Sequence, residues 1–302
     1  MIEKIGHVIF NESYYQHNDQ YSDGDVENDL LEYVKSGADL DAIALTDGRW
    51  PVLYHLSSRR HCLIDWLSIA PEARLLEIGS GCGAITSALV KKGAQVTAVE
   101  LSKRRSMINA YRNQKCSNLE IFVGNFGDIR FQQTYDYIFL IGVLEYARTY
   151  TGRHNGDYDF LQTIKSLLAP GGTLVIAIEN RLGLKYWAGA REDHLGTLFN
   201  SLEGYQPESP ALTYSKCELT SLLKRVGYQN LYYYYPYPDY KFPMTIYSQD
   251  FLPKKGELLD SQTHYDMDRL ILFDESKVYD SLINEGIFDR FANSFLVLAR
   301  LS

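Results

Sequence analysis

Between Arg74 and Ala84 the chain reads Arg-Leu-Leu-Glu-Ile-Gly-Ser-Gly-Cys-Gly-Ala, an apolar strand pattern that runs into three glycines at alternate positions. A helical pattern follows at once. Gly79, Gly81 and Gly83 predict a tight strand-to-helix turn whose backbone can come close to a ligand, with helix N–H groups nearby. Such a turn belongs to an open α/β sheet, where ligands bind beyond the carboxyl ends of the strands. The spacing is G-x-G-x-G, not the G-x-G-x-x-G of dinucleotide sites. Glu77 stands two residues before the first glycine, where a carboxylate suits a cationic ligand group better than a pyrophosphate.

The sequence on either side of this turn alternates as a parallel sheet requires. Strands are expected at Leu75–Ile78, Gln95–Val99, Leu119–Val123, Asp136–Ile141 and Thr173–Ile178. Between them lie helical patterns over Ala84–Lys92, Lys103–Gln114 and Asp159–Leu168, the last with Phe160, Leu161, Ile164, Leu167 and Leu168 on one face. Pro170-Gly171-Gly172 turns the chain into the fifth strand. Ser215-x-x-Glu218 is a capping box that opens a helix over Lys216–Val226, and Gly227 ends it. A sixth strand is expected at Asn230–Tyr235 and a last one at Phe295–Ala299. Upstream, short helices are expected at Val26–Val34 and Leu53–Leu67.

Composition narrows the function. With 30 Lys+Arg against 38 Asp+Glu the net charge is −8, which speaks against a general nucleic-acid binder. No apolar run approaches the ~20 residues that span a bilayer. The opening Met1–His7 lacks the order of a signal peptide. Cys62, Cys82, Cys116 and Cys217 form no C-x-x-C pair and no zinc spacing, so a reduced, cytoplasmic protein without a bound metal is the expectation. Cys82 reads as a small side chain that fits the glycine turn. Tyrosine is abundant at 24 residues, and the cluster Tyr232–Tyr240 serves equally for strand packing or for stacking on sugars and rings.

The run Glu77-x-Gly79-x-Gly81-x-Gly83 resembles the first motif of the class I S-adenosylmethionine-dependent methyltransferases, and the resemblance extends over about a hundred residues. It implies a seven-stranded, mostly parallel Rossmann-like sheet with helices on both faces and an antiparallel seventh strand beside the sixth. On that pattern residues 53–235 with 293–302 form the core, 1–52 an N-terminal lid, and 236–292 an insertion that caps the acceptor site or forms an interface. The implied cofactor is S-adenosylmethionine. Gly79, Ser80, Gly81 and Gly83 would pass its methionine and ribose portions, and Glu77 would support its amino-acid end. Glu100, 21 residues after Gly79, would accept both ribose hydroxyls, with Leu101 beside it. Acids are 38 of 302 residues, about one position in eight, so an acid there by chance is uncommon. Asn125 and Phe126 stand where the family often carries an acid for the adenine. Gly142-Val143-Leu144-Glu145-Tyr146 resembles the segment flanking the transferred methyl, and Leu167–Leu174 matches the L-L-x-P-G-G-x-L lead into strand five.

The acceptor is less constrained. No Asp/Asn/His cluster at the end of strand four suggests a metal-assisted mechanism, and no N-P-P-Y or D-P-P-Y marks methylation of nucleobase amines. The segment Glu179–His194 resembles methyltransferases found beside glycosyltransferases of bacterial surface glycans, which implies a sugar or glycan hydroxyl as acceptor. Tyr14, Tyr21, Tyr186, Trp187, Tyr237 and Tyr240 are the candidate stacking residues. His194 is the candidate general base, with Asp193 or Glu192 to orient it, Glu145 second and His154 third. A small metabolite hydroxyl or amine, or a non-catalytic binding module, are the alternatives. The oligomeric state is open.

Overall fold

The structure is a computed structural model and describes residues 1–17, 22–152, 155–206, 208–259 and 267–301. Two compact units emerge, residues 1–140 with 167–172 and residues 141–166 with 173–302.

The first unit carries β1 (Ile2–Ile5), β2 (Val8–Tyr14), β3 (Arg74–Ile78), β4 (Gln95–Glu100), β5 (Leu119–Gly124) and nearly all of β6 (Tyr135–Ile141). They lie in the order β1-β2-β5-β4-β3-β6. All neighbours run parallel except the β1–β2 hairpin. Leu75, Leu76, Ala98, Ile121 and Ile138 are fully enclosed, as in a sheet covered on both faces. Helices Ala84–Lys91 and Lys103–Arg112 link β3 to β4 and β4 to β5. An apolar cluster of Leu30, Val34, Ala44, Val52, Leu56 and Ile108 also encloses Cys82. That packing accounts for a small side chain within the glycine turn.

The second unit carries β7 (Leu168–Glu179, from Thr173 on), β8 (Asn230–Tyr237), β9 (Thr245–Ser248) and β10 (Ser294–Arg300) in the order β7-β10-β8-β9. β10 runs antiparallel between β7 and β8, as the resemblance implies for the last strand. Tyr233 and Tyr235 point inward against Phe295, while Tyr232 and Tyr234 are half-exposed, the two-residue period of a strand with one covered face. The capping box forms as expected, with Ser215 and Glu218 each accepting from the other's backbone N–H.

The described residues contain ten strands where the sequence pattern predicts seven. The additions are β1, β2 and β9. Val8 and Phe10 are fully buried, but Asn11, Glu12 and Ser13 follow them and cut the apolar alternation short. The first fourteen residues, expected in a lid, are instead a hairpin at the sheet edge, β2 pairing with β5. The single helix expected over Leu53–Leu67 is a helix at Trp50–Leu56 and a 3-10 helix at Ser58–Leu63. Ser57 divides them, its hydroxyl accepting from the Arg59 N–H, while the Arg112 guanidinium donates to the terminal carbonyls of His55 and Leu56. No described helix is long and apolar enough to cross a membrane.

Candidate active site

In the first unit the glycine turn takes the form its spacing demands. Gly79, Gly81 and Gly83 have φ of 71°, 52° and 82°, a left-handed conformation that side chains disfavour. The Gly79 and Ser80 N–H groups donate to Val99 O at the end of β4. The Gly81 N–H donates to Glu100 Oε2 at 2.8 Å, and the Ser102 N–H donates to Oε1 at 2.9 Å. Glu100 therefore ties the turn to the strand that ends beside it. Burial lifts its carboxyl above the usual range, while Arg105 and the backbone donors oppose that rise. A carboxylate has about four acceptor sites, so two occupied ones leave room for a diol.

The two remaining glycines differ in what surrounds them. A Cβ on Gly83 would lie 2.3 Å from Asn109 Oδ1, so this glycine is required by helix packing. A Cβ on Gly81 would meet nothing within 4 Å. The space beside Gly81 fits close approach of a ligand, which is what the residues would need to hold S-adenosylmethionine.

Glu77 lies beneath the turn. Its Oε2 accepts from Thr86 Oγ1 at 2.6 Å, and Asn109 Nδ2 donates to both Thr86 and Ser80. Burial raises its carboxyl to about 8, against the pull of the Thr86 hydroxyl. Asn125 caps the 3-10 turn Phe126–Asp128, its Oδ1 accepting from the Gly127 N–H at 2.9 Å. Phe126 and Leu101 are partly exposed near these groups in the chain.

The second unit gathers the catalytic candidates. Gly142, at φ 70°, leaves space that the Tyr240 hydroxyl fills, since a Cβ there would lie 2.8 Å from that oxygen. Val143 is buried, and Glu145 sits in the 3-10 turn Leu144–Tyr146 that follows. Glu179 is the last residue of β7. His194 Nε2 lies 3.5 Å from Glu179 Oε2 and 4.0 Å from Glu145 Oε1. The other ring nitrogen, Nδ1, is 2.9 Å from the Tyr146 hydroxyl, with the two rings edge to face.

The acids beside His194 in sequence do other work than orienting its ring. Glu192 accepts from the backbone N–H of His194 and of Leu195. Asp193 is paired with Lys185 at 2.8 Å and with Lys241, and it accepts from the Tyr186 hydroxyl. Lys241 also lies 3.0 Å from Glu179 Oε1. Burial disfavours the charged His194 ring, but Glu179, Glu145 and Glu192 outweigh it and raise its pKa to about 9. Burial and the neighbouring Glu179 push the Glu145 carboxyl up, whereas Lys241 and His194 hold Glu179 down despite its burial.

The aromatic candidates scatter. Tyr14 is half-buried against Phe122 in the first unit. Tyr186, Tyr237 and Tyr240 are enclosed in the second, and Trp187 is 45 % exposed. Tyr21 and His154 lie outside the described residues. Sequence reasoning gave no individual role to Glu179 or Tyr146, though both stand in segments it singled out, and it missed Lys241. For Glu179 the available signal was an acid closing an otherwise apolar strand, the signal that marked Glu100.

Residues 76–174 match the family model for a methyltransferase domain. An uncharacterized methyltransferase of Staphylococcus carnosus is 38% identical over 77 residues, 25% of this chain and 35% of that protein. A demethylmenaquinone methyltransferase of Tropheryma whipplei is 28% identical over 185 residues, 57% of this chain and 72% of that protein. The chain thus spans about a third of the length of the first relative and under three quarters of the second. Among solved structures, a Haemonchus contortus phospholethanolamine N-methyltransferase 2 aligns with a TM-score of 0.49 at 16% identity, covering 81% of this chain and 52% of that one.

Proposed function

We propose, from the premise that residues 76–174 are a methyltransferase domain whose cofactor is S-adenosylmethionine, that the whole chain methylates a hydroxyl of a small acceptor, a sugar or glycan end first among them. The observation that carries this reading is the turn itself: Gly81 at φ 52° beside open space, closed by the buried Glu100. When bound, the cofactor supplies a methyl group already activated on a sulfonium centre. Gly79, Ser80, Gly81 and Gly83 shape the backbone it lies along, and Glu100 with Leu101 takes the ribose. Asn125 and Phe126 border the adenine, the ring of Phe126 supplying an apolar face.

Positioning supplies much of the rate in an in-line displacement at such a carbon. A sugar hydroxyl nevertheless must lose its proton, and Glu145 and His194, joined by Glu179, are the polar groups assigned to it. Lys241 and Lys185 hold the surrounding acids in place. Trp187, the exposed aromatic of the set, offers a stacking face for a pyranose ring, and Tyr186, Tyr237 and Tyr240 shape the acceptor side of the second unit from within. The demethylmenaquinone methyltransferase relative supports a second acceptor class, a small non-sugar metabolite.

Titration calorimetry with S-adenosylmethionine and its demethylated product, followed by an assay of product release against nucleotide sugars, glycan ends and small phenols, tests the reading. Binding of both and turnover with a saccharide are expected. Binding with turnover on phenols alone would move the acceptor to the second class, and absence of cofactor binding would remove the function.

A further inference from the structure

The geometry points to a divalent-cation site formed by Glu145, Glu179 and His194. The three residues come from separate segments of the second unit, and each offers one donor atom within 4.8 Å of the other two. A first-row cation about 2.0–2.2 Å from each donor needs donor pairs roughly 3–4 Å apart. His194 Nε2 stands 3.5 Å from Glu179 Oε2 and 4.0 Å from Glu145 Oε1.

The contacts around the three side chains agree with the distances. Tyr146 engages Nδ1 of His194, which fixes the ring and turns Nε2 toward the two carboxylates, the outer contact that ligand histidines characteristically make. Nε2 has only the long 3.5 Å contact to Glu179 Oε2 and no hydrogen bond of good geometry among the described residues. Neither oxygen of Glu145, a side chain only 1% exposed, has a hydrogen-bond partner among them. Burying a carboxyl group with no hydrogen-bond partner is costly, so such a group marks a missing partner. The nearby ammonium groups do not supply one. Lys185 pairs with Asp193 and faces Asp239, and Lys241 pairs with Asp193 and with the other oxygen of Glu179. Two ammonium groups thus serve Asp193, Asp239 and Glu179, while Glu145 pairs with neither.

Two carboxylate oxygens and one imidazole nitrogen select Mn2+, Fe2+ or Zn2+ over soft ions, and over Mg2+ and Ca2+, which favour oxygen alone. The site stands on its own geometry. That a cation there would hold the acceptor hydroxyl and make its proton more acidic rests on the function proposed above.

Mn2+ is the probe, added to the full chain after EDTA treatment and followed by electron paramagnetic resonance. One saturable Mn2+ with a 14N coupling from the imidazole is expected, together with a rise in Tm. E145Q and H194A should each weaken it at least tenfold, and H194A should abolish the nitrogen coupling. No saturable Mn2+ up to millimolar concentration, or unchanged affinity in both variants, overturns the proposal. If either variant fails to fold, the nitrogen coupling in the wild-type protein decides, its absence overturning the site. Calorimetric binding of S-adenosylmethionine to the EDTA-treated protein separates the two readings. Mn2+ bound without cofactor affinity leaves the cation site standing and removes the methyltransferase reading, and the reverse result does the opposite.

Discussion

Glu77 and Glu100 are both buried carboxylates beside the glycine turn, and their partners give them different work. Glu100 accepts two backbone N–H groups and retains acceptor sites for a diol. Glu100→Ala should weaken both S-adenosylmethionine and its demethylated product at least tenfold in calorimetry. One hydrogen bond to a charged group is worth about 1.5–3 kcal/mol, and 1.4 kcal/mol is tenfold. Unchanged affinity would remove the ribose assignment. Glu77 is held under the turn by Thr86, with its folded pKa at about 8 against 4.5 unperturbed. Its folded value is raised, so the stabilising proton is fully held below the unfolded pKa and lost as pH rises through the folded one. Stability should therefore fall between about pH 4.5 and 8, by at most about 1.4 kcal/mol per pH unit from this group. Glu77→Gln carries no such proton, so denaturant titrations should show that slope reduced. An identical slope in the variant would show that Glu77 is ionised in the folded protein.

The turn as an element separates glycines that the sequence presents as equals. Gly83 faces Asn109, where a Cβ would come within 2.3 Å of Oδ1 and 3.0 Å of Cα. Gly83→Ala should destabilise the fold by ~1–3 kcal/mol through overpacking, with left-handed strain in addition. Gly81→Ala meets open space and carries only the strain, so it should fold yet lose cofactor affinity. Paired melting curves and calorimetry check both, and a Gly81→Ala protein that binds like wild type would show that the cofactor does not approach there. Strict periodicity made most elements legible, including the helix Lys216–Val226 with its capping box. Elements whose pattern is set by neighbours were not legible. β2 hides its two core residues ahead of a polar run, and the helix after Trp50 stops where Ser57 and Arg112 satisfy its end. Glu179 closes β7 as Glu100 closes β4, but nothing local shows that Glu145 and His194 meet it. Such a cluster is a product of tertiary folding.

Across the whole molecule, the glycine turn and Glu100 belong to the first unit, and Glu145, Glu179 and His194 to the second. Cofactor affinity and turnover should therefore respond to different substitutions. His194→Ala removes a ring whose Nδ1 meets Tyr146 and whose Nε2 faces two carboxylates. With cofactor saturating, kcat should fall by ~10²–10⁴, the range for loss of a positioned proton-handling group. Affinity for S-adenosylmethionine should stay near the wild-type value, because the assigned cofactor contacts of the turn and Glu100 are untouched. Glu100→Ala should show the complementary pattern, a weaker cofactor Kd with much of kcat recovered at saturation. Direct comparison of calorimetric Kd with kcat for the two variants makes the division measurable. A fall in turnover of less than about threefold for His194→Ala would take this residue out of the chemistry. Glu145→Gln, which keeps the side chain's volume and removes its charge, would then carry the same test to the adjacent acid.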